Sequence, residues 1–561
     1  MKKRHAATTA FAMLLIALPA FAEDAAGNWT GAIDGHLVSL VHVERGTDGG
    51  LTGTFASHEA PLTRPDFSAL KSPIAHVAAT SDHLAFTVPG NSGIFDGHWD
   101  DARKAWVGTF QWGKGGYKST LVLQRTDMQS LPAAPTPITY ARPEDETRAM
   151  DQLVQAWVDD GSFMGSVLVM QNGQILLDKG YGFADIAHAV PNTPQTAYRI
   201  GSITKQFTAA SILLLQERGK LNINAPVKTY LPDAPAAWDH ITLYNLLTHT
   251  SGLVRDADPD GTGTRPEHLM AALHDKPLLF APGDGYSYSN AGYEVLGLIV
   301  EKVSGQAYGD FVHDNLFVPA RMTASAFKPK ADPHLAVGYD SGAQGPVPVP
   351  ETAYAGLYTA GGIVSTTHDL ALWQSALVSG KVLSPASLKL MATPVKDGYG
   401  TGLEITSPYG HLDIGHGGLV HGFATQEHYE PDDRLGIIVL GNLNGETTAV
   451  ANSLVAIARG LPGTFPPKGV KSVEIPQATL QTYVGTYVMS PQFQIVVTLE
   501  NGQLMAQGGG YPKMALYAQS DGMFYTKSLS YVRVKFVKGS DGATSIIVQI
   551  AGLPDRIGKR Q

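Results

Sequence analysis

Ser202-Ile203-Thr204-Lys205 opens the stretch that decides how this sequence is read, and Ala209, Ala210, Ile212, Leu213, Leu214 and Leu215 follow it. The apolar run closes on Glu217-Arg218-Gly219, a charged last turn and then a glycine stop. That pattern predicts a largely buried helix. Residues three apart share a helical face, so Ser202 and Lys205 lie one turn apart on the same side. Taken alone the pair is ambiguous, because a serine at a helix start also serves as an N-cap and the lysine as a solvated charge. A hydroxyl beside an amine is equally the start of a nucleophile and its base.

Two further clusters lie downstream. Tyr288-Ser289-Asn290 follows Pro282-Gly283 and precedes Gly292-Tyr293. Read by itself, a tyrosine in such a loop is a packing residue or part of a turn. His416-Gly417-Gly418 follows Gly415 and precedes Gly422-Phe423. Its glycines would let another backbone or a substrate come close, and a lone histidine there is otherwise structural. Asp256-Ala257-Asp258-Pro259-Asp260-Gly261, with Glu267 after it, has the spacing of a calcium loop. Gly263 and Pro266 interrupt that pattern, which leaves a solvated acidic loop as the competing reading. The sequence has no Gly-x-Ser-x-Gly elbow, no His-Glu-x-x-His and no phosphate loop ending in Gly-Lys-Ser/Thr.

In this order the three clusters resemble the motifs of the penicillin-binding-protein and serine β-lactamase-like family. Leu246-Leu247-Thr248-His249-Thr250-Ser251-Gly252-Leu253 and Thr359-Ala360-Gly361-Gly362-Ile363-Val364-Ser365-Thr366 belong to the same resemblance, which covers roughly residues 143–460. It implies that Ser202 is the nucleophile and Lys205 its partner in activation. Tyr288 would act in proton transfer, and Asn290 would contact the substrate or Lys205. His416 would stand where β-lactamases usually carry the lysine of Lys-Thr-Gly. The backbone N–H groups of Ser202 and of Leu419, the residue after Gly418, would form the oxyanion hole. The resemblance leaves open whether Lys205 or Tyr288 is the base. The His-Gly-Gly motif is more similar to the D-aminopeptidase, D-alanyl-D-alanine carboxypeptidase and esterase branch than to efficient β-lactamases.

Working outward, Glu144 to Asp159 predicts an amphipathic helix with Met150, Leu153, Val154 and Trp157 on one face. Ser166–Met170 and Gln174–Leu177 flank Asn172-Gly173, a strong hairpin signal because both turn residues need positive φ. Gln426–Tyr429 and Leu435–Leu440 bracket a second hairpin at Pro431-Asp432-Asp433-Arg434, and a helix from Thr447 to Arg459 follows. The expectation is an α/β (α+β) β-lactamase-like catalytic domain, an antiparallel sheet with flanking helices and a helical insertion, over 143–460. Pro-rich linkers at 128–142 and 461–471 separate it from β-rich segments at 23–127 and 472–561. Each outer segment is expected to form a small all-β, lipocalin-like barrel, with strands at Leu37–Val43, Leu84–Val88, Thr120–Leu123, Gln494–Leu499, Gly522–Thr526 and Tyr531–Phe536. Trp106-Val107-Gly108-Thr109-Phe110 resembles Tyr483-Val484-Gly485-Thr486-Tyr487 without establishing a repeat.

Residues 1–22 read as an export signal. Lys2, Lys3 and Arg4 precede the apolar stretch Phe11–Leu18, and Ala20-Phe21-Ala22 provides a cleavage site. A periplasmic or secreted protein is therefore expected, with no integral membrane segment once the signal is removed. The 561-residue chain has a formal net charge of −9, and losing those three basic residues makes it three units more negative. Such a chain is poorly suited to sequence-independent nucleic-acid binding. With no cysteine, thiol nucleophiles and Cys-based metal sites are excluded. Neither metal nor organic cofactor is implied, and the partner expected is a small-molecule or short-peptide substrate. The resulting expectation is acyl-enzyme hydrolysis of an amide or ester in short D-amino-acid-containing or cell-wall-derived peptides. A carboxylesterase or β-lactamase using the same site, and a non-catalytic exported binding protein that kept the fold, are the alternatives.

Overall fold

The computed structural model describes residues 24–561 except 34–36, 48, 60–71, 89–92, 113–117, 127–137, 139, 141, 258–265, 328–333, 343–344, 355, 407–410, 467–471, 491–492, 509–512, 520–521, 527–528, 539–543 and 551–555. The proposed signal and most of the first Pro-rich stretch lie outside the described residues. Among those described, no helix is long and apolar enough to cross a membrane.

The expected α+β core is present. Six antiparallel strands pair in the order Gln174–Tyr181, Gly165–Gln171, Leu435–Gly441, Phe423–Glu430, Asp413–Val420, Glu404–Thr406. Both predicted hairpins lie in this sheet. Asn172 and Gly173 take φ of 51° and 80°, the left-handed values the tight turn requires. The sheet unites the two ends of this segment, because Gly165–Gln171 pairs with Leu435–Gly441 along its whole length.

Both faces of the sheet are covered, which explains why its central strands are apolar without interruption. Val167, Val169, Ile437 and Val439 pack with Met150, Leu153, Val154 and Trp157 of the helix Pro143–Asp159 and with Val450 and Leu454 of the helix Thr447–Ala458. The alternate residues Leu168, Ile438 and Leu440 join a larger core on the other side, with Ile203, Phe207, Ile212 and Leu213. Alternation along a strand sends successive side chains to opposite faces, so a doubly covered strand must be apolar at every position.

The segment between the first and second hairpins supplies the insertion. Its helices Thr204–Glu217 and Asn290–Ser304 stand beside a small sheet ordered Tyr198–Arg199, Ile363–Ser365, Ala326–Phe327. The helix Thr204–Glu217 is buried from Thr204 through Leu215, and Gly219 at φ 66° ends it through a hydrogen bond from its N–H to Gln216 O.

The outer segments are all-β. The C-terminal one is a closed barrel of eight strands between Gly485 and Arg560. The N-terminal one is a nine-stranded antiparallel sheet whose end strands, Ser72–Pro73 and Ala75–Ala79, are joined through Ile74. Trp29, Phe55, Phe86, Phe95, Trp106 and Phe110 fill the core of the first, and Tyr487, Leu504, Leu516 and Phe524 that of the second. The Trp106–Phe110 and Tyr483–Tyr487 segments occupy different settings. Gly108 lies mid-strand, where a Cβ would overlap Gly97 of the neighbouring strand, whereas Gly485 begins its strand.

The second Pro-rich stretch differs from the expected free connector. Its residues 461–466 lie on the catalytic unit, with Trp157 Nε1 donating to Thr464 O at 3.1 Å and Thr464 N to Ser453 Oγ at 3.1 Å. Proline favours extended backbone without preventing that backbone from hydrogen bonding to a neighbouring surface.

Candidate active site

Ser202 sits in a tight turn, Gly201–Ile203, immediately before the buried helix. It makes no capping hydrogen bond, so the N-cap reading of this serine does not hold. Gly201 takes φ 52°, and a Cβ built on it would come within 2.9 Å of Leu419 N. A glycine is required there on both counts, and its absence of side chain brings the Leu419 amide against the turn that carries Ser202. Gly418 acts similarly, since a Cβ would overlap the Ile200 carbonyl oxygen. The Ser202 turn and the Gly418-Leu419 strand are thus adjacent backbones, the arrangement two oxyanion-hole donors need.

Lys205 is 0% exposed, so it is not a solvated charge. Its Nζ lies 3.0 Å from Ser202 Oγ, 2.7 Å from Asn290 Oδ1 and 3.0 Å from Ala360 O. Burial, followed by the nearby Arg255 charge, brings its pKa down to about 7. When the amine is neutral it has two hydrogens and one lone pair. The Ala360 carbonyl only accepts, and Asn290 presents its oxygen, so those two take the hydrogens. The lone pair is left facing the Ser202 hydroxyl.

Asn290 is oriented by Asp256, whose Oδ1 accepts from Asn290 Nδ2 at 2.7 Å, while Asp256 Oδ2 pairs with Arg255 Nε at 3.2 Å. Asp258, Asp260 and Gly261, with the rest of the proposed calcium loop through 265, lie outside the described residues, as does the side chain of Glu267. Asp256, the described member of that pattern, is engaged with Asn290 and Arg255. The one group of potential ligands among the described residues is His411, Glu430 and Asp433, elsewhere in the fold, where Arg459 pairs with both carboxylates.

Tyr288 belongs to the loop before the helix Asn290–Ser304. Ser289 caps that helix by accepting from Gly292 N at 3.0 Å, and its own Oγ donates to Val254 O at 2.7 Å. Burial holds the Tyr288 phenol well above the ordinary tyrosine pKa, and a hydrogen bond with Ser202 opposes that shift. Tyr288 is therefore protonated at neutral pH. The Lys205 ammonium position is 4.8 Å from its ring centre.

His249, inside the Leu246–Leu253 motif, supports Tyr288 from behind. Its ring lies 4.2 Å from that of Tyr288, and its Nδ1 accepts from Ser289 N at 3.0 Å. The residue takes φ 56°, a left-handed conformation uncommon outside glycine.

His416 is 1% exposed, its Nδ1 2.6 Å from Gly417 O and its Nε2 3.0 Å from the Tyr399 hydroxyl. Burial, then the Lys205 charge, brings its pKa down to about 3, so the imidazole is neutral. The Gly417 carbonyl can only accept, which places the hydrogen on Nδ1 and leaves Nε2 to accept from Tyr399. Both nitrogens are occupied. At the position expected to match the lysine of Lys-Thr-Gly in β-lactamases, this chain holds an uncharged histidine engaged with its own wall.

All seven residues singled out in the sequence, Ser202, Lys205, Tyr288, Asn290, His416, Gly418 and Leu419, come together here. The sequence reading missed Tyr399 and Arg255, quoted His249 and Ala360 only as members of motifs without a role, and read Asp256 only as part of a calcium loop. Tyr399 acts through a long-range contact with no local pattern, and Ala360 through a backbone carbonyl whose role its motif does not reveal.

The Beta-lactamase family model matches residues 150–460. This chain belongs to the β-lactamase family. It is 29% identical to penicillin-binding protein 4* of Bacillus subtilis (strain 168) over 445 residues, which span 72% of this chain and 97% of that one. It is 32% identical to the putative penicillin-binding protein PbpX of the same organism over 312 residues, 54% of this chain and 78% of that one. Among solved structures, the octameric penicillin-binding protein homologue from Pyrococcus abyssi superposes with a TM-score of 0.53 at 25% identity, covering 74% of this chain and 100% of that chain. Members of this serine-hydrolase family are enzymes, so the reading as a non-catalytic binding protein is set aside.

Proposed function

We propose that this serine hydrolase cleaves amide bonds in short peptides containing D-amino acids, including peptides released from cell wall, and that it works outside the cytoplasm. The observation that carries the catalytic part is the set of contacts at Lys205: two acceptors take its hydrogens, and the lone pair faces Ser202. Lys205 then removes the Ser202 proton as Oγ attacks the carbonyl carbon. The oxyanion lies between the N–H groups of Ser202 and Leu419, where one donor of this kind is worth ~3–4 kcal/mol. Collapse of the tetrahedral intermediate breaks the C–N bond as Tyr288 gives its proton to the departing amine, and Lys205 restores it. Water then hydrolyses the acyl-Ser202 ester. The leader Lys2–Ala22 supports an extracytoplasmic location.

The neutral, enclosed His416 favours peptides and amides over β-lactams, because it supplies no cation for the carboxylate a β-lactam carries. Ester hydrolysis needs no different machinery and is a second activity of the same site.

Intact-mass measurement after treatment with a penicillin and with a fluorophosphonate tests this reading. A fluorophosphonate adduct on the wild type and none on Ser202→Ala is expected. An adduct that persists in the variant would move the nucleophile elsewhere. Turnover of D-alanyl amides, p-nitrophenyl esters and a chromogenic cephalosporin then ranks the substrates, and fast cephalosporin hydrolysis without amide turnover would overturn the peptide assignment.

A further inference from the structure

The two amides of the proposed oxyanion hole come from separate pieces of chain, so their spacing has to be set by contacts between those pieces. Ser202 is fixed by the turn Gly201–Ile203 and the buried helix that follows. Leu419 has less to hold it. Its residue is 41% exposed, and the two residues before it, Gly417 and Gly418, have no side chains. Packing of its own segment therefore does little to locate the Leu419 amide.

The adjacent strand Phe423–Glu430 supplies the contact. Thr425 pairs in register with Gly418 and is 2% exposed. Its Oγ1 lies 3.0 Å from Ile200 O and 3.3 Å from Gly418 O. Both partners are carbonyls, which only accept, so the single hydroxyl hydrogen is shared between them. Ile200 O also accepts from Ile203 N at 3.3 Å, closing the turn that carries Ser202. Gly418 C=O and Leu419 N–H belong to one planar peptide group and point in opposite directions. Holding Gly418 O thus aims Leu419 N–H. One buried hydroxyl ties the carbonyl that opens the Ser202 turn to the peptide that contains the second oxyanion donor.

The rest of the hairpin is anchored separately. Glu427, two residues along and so on the same face as Thr425, bonds to Gln206 Nε2 of the nucleophile helix. At the turn, Gly422 N donates to Asp340 Oδ1 at 2.9 Å. The strand pair therefore keeps its place without the Thr425 hydroxyl, and what the hydroxyl adds is local to the Gly418–Leu419 peptide.

We propose that Thr425 is a positioning residue for the oxyanion hole: its hydroxyl, shared between Ile200 O and Gly418 O, sets the spacing and tilt of Leu419 N–H relative to Ser202. Without that hydrogen, two carbonyl oxygens are left against an apolar group and the two backbones move apart. The inference rests on the reading of Ser202 as nucleophile and Leu419 N as oxyanion donor.

Thr425→Val, which keeps the shape and removes the hydroxyl, and Thr425→Ser, which keeps the hydroxyl, test it on the full chain. The end point of fluorophosphonate labelling counts competent sites, so rates are compared per labelled Ser202. The valine variant is expected to lose about ten- to a hundredfold in kcat with KM changed by less than about threefold, because the oxyanion exists only in the transition state. The serine variant should recover to within about threefold of the wild type. Phenylboronic acid, which adds to Ser202 Oγ as a tetrahedral anion, should bind the valine variant more weakly by the factor lost in kcat. If the valine variant is too unstable to label, Thr425→Ala is read in the same way. A purely structural role would lower Tm while leaving kcat and boronate affinity per labelled site unchanged, and that result overturns the inference. So does a loss confined to KM, or a serine variant as impaired as the valine one. Labelling that survives Ser202→Ala overturns the nucleophile reading and the role of Thr425 with it.

Discussion

Asp256 Oδ1 accepts a 2.7 Å hydrogen bond from Asn290 Nδ2, and this one contact fixes which end of the Asn290 amide faces Lys205. A carboxylate takes hydrogens and gives none, so the amide nitrogen must turn toward Asp256 and the oxygen toward Lys205 Nζ, 2.7 Å away. The aspartate that looks like a calcium ligand in sequence thus sets the hydrogen-bond direction around the Lys205 amine.

Replacing Asp256 with alanine frees that amide to turn, so that its nitrogen competes with Lys205 as a donor. We expect kcat to fall about ten- to a hundredfold, the cost of one misdirected charge-assisted hydrogen bond. The Asp256 charge also raises the Lys205 pKa, so its removal should move the acid limb of the pH–rate profile to lower pH. A kcat-pH series on the variant checks both, and an acid limb shifted the other way would contradict the contact's role.

Lys205 must be neutral to accept the Ser202 proton, and its pKa is about 7. Activity should therefore rise with pH through the neutral range. Arg255 lowers that pKa, so Arg255→Gln should raise it and displace the limb toward alkaline pH. Measuring kcat/KM from pH 5 to 9 in both proteins decides the matter, and an unmoved limb would mean that Arg255 does not reach Lys205.

Gly418→Ala places a methyl group against the Ile200 carbonyl oxygen and forces the strand away from the Ser202 turn. The Leu419 donor moves with it. The expected result is a loss of roughly a hundredfold in kcat with KM much less affected, because the oxyanion exists only in the transition state. A variant that loses only substrate affinity would remove Leu419 N from the oxyanion hole.

Glu427 is 1% exposed behind the site, bonded to Gln206 Nε2, and burial pushes its pKa from 4.5 up to about 8. The folded state keeps a proton that the unfolded state releases. Stability from this group is therefore complete below about pH 4.5 and is lost as pH rises toward 8. Glu427→Gln stays neutral throughout, so its Tm should drop less than that of the wild type between pH 5 and 8.5. Some slope should remain, because burial lowers the His428 pKa but Asp413, Glu404 and Glu427 together raise it on balance, and His428 also gives up its proton as pH rises. Identical Tm slopes in the two proteins would show that Glu427 titrates normally.

The sheet and the nucleophile helix were legible because their signals are local. Asn172-Gly173 dictates its turn through the φ values those residues tolerate, and the unbroken apolar run Leu435–Leu440 reports a strand covered on both faces. The mode of attachment of residues 461–466 was not legible, since Thr464 meets Trp157 from more than 300 positions away. The barrel form of the outer segments was expected from their β-rich patterning, but the register that closes the C-terminal ring of eight strands is a long-range property the sequence does not display.

The same division holds at the site. The sequence by itself pointed to the family and, through it, to Ser202 and Lys205 as the proposed nucleophile and its partner, because an ordered set of short motifs is a local property. Only the tertiary structure decided the protonation states. Those depend on what surrounds each group: a buried amine beside Arg255, an imidazole held between Gly417 O and Tyr399, a carboxylate turning Asn290. Such neighbours come from segments far apart in the chain, and the energy of a charge is set by the medium and partners that folding gathers around it.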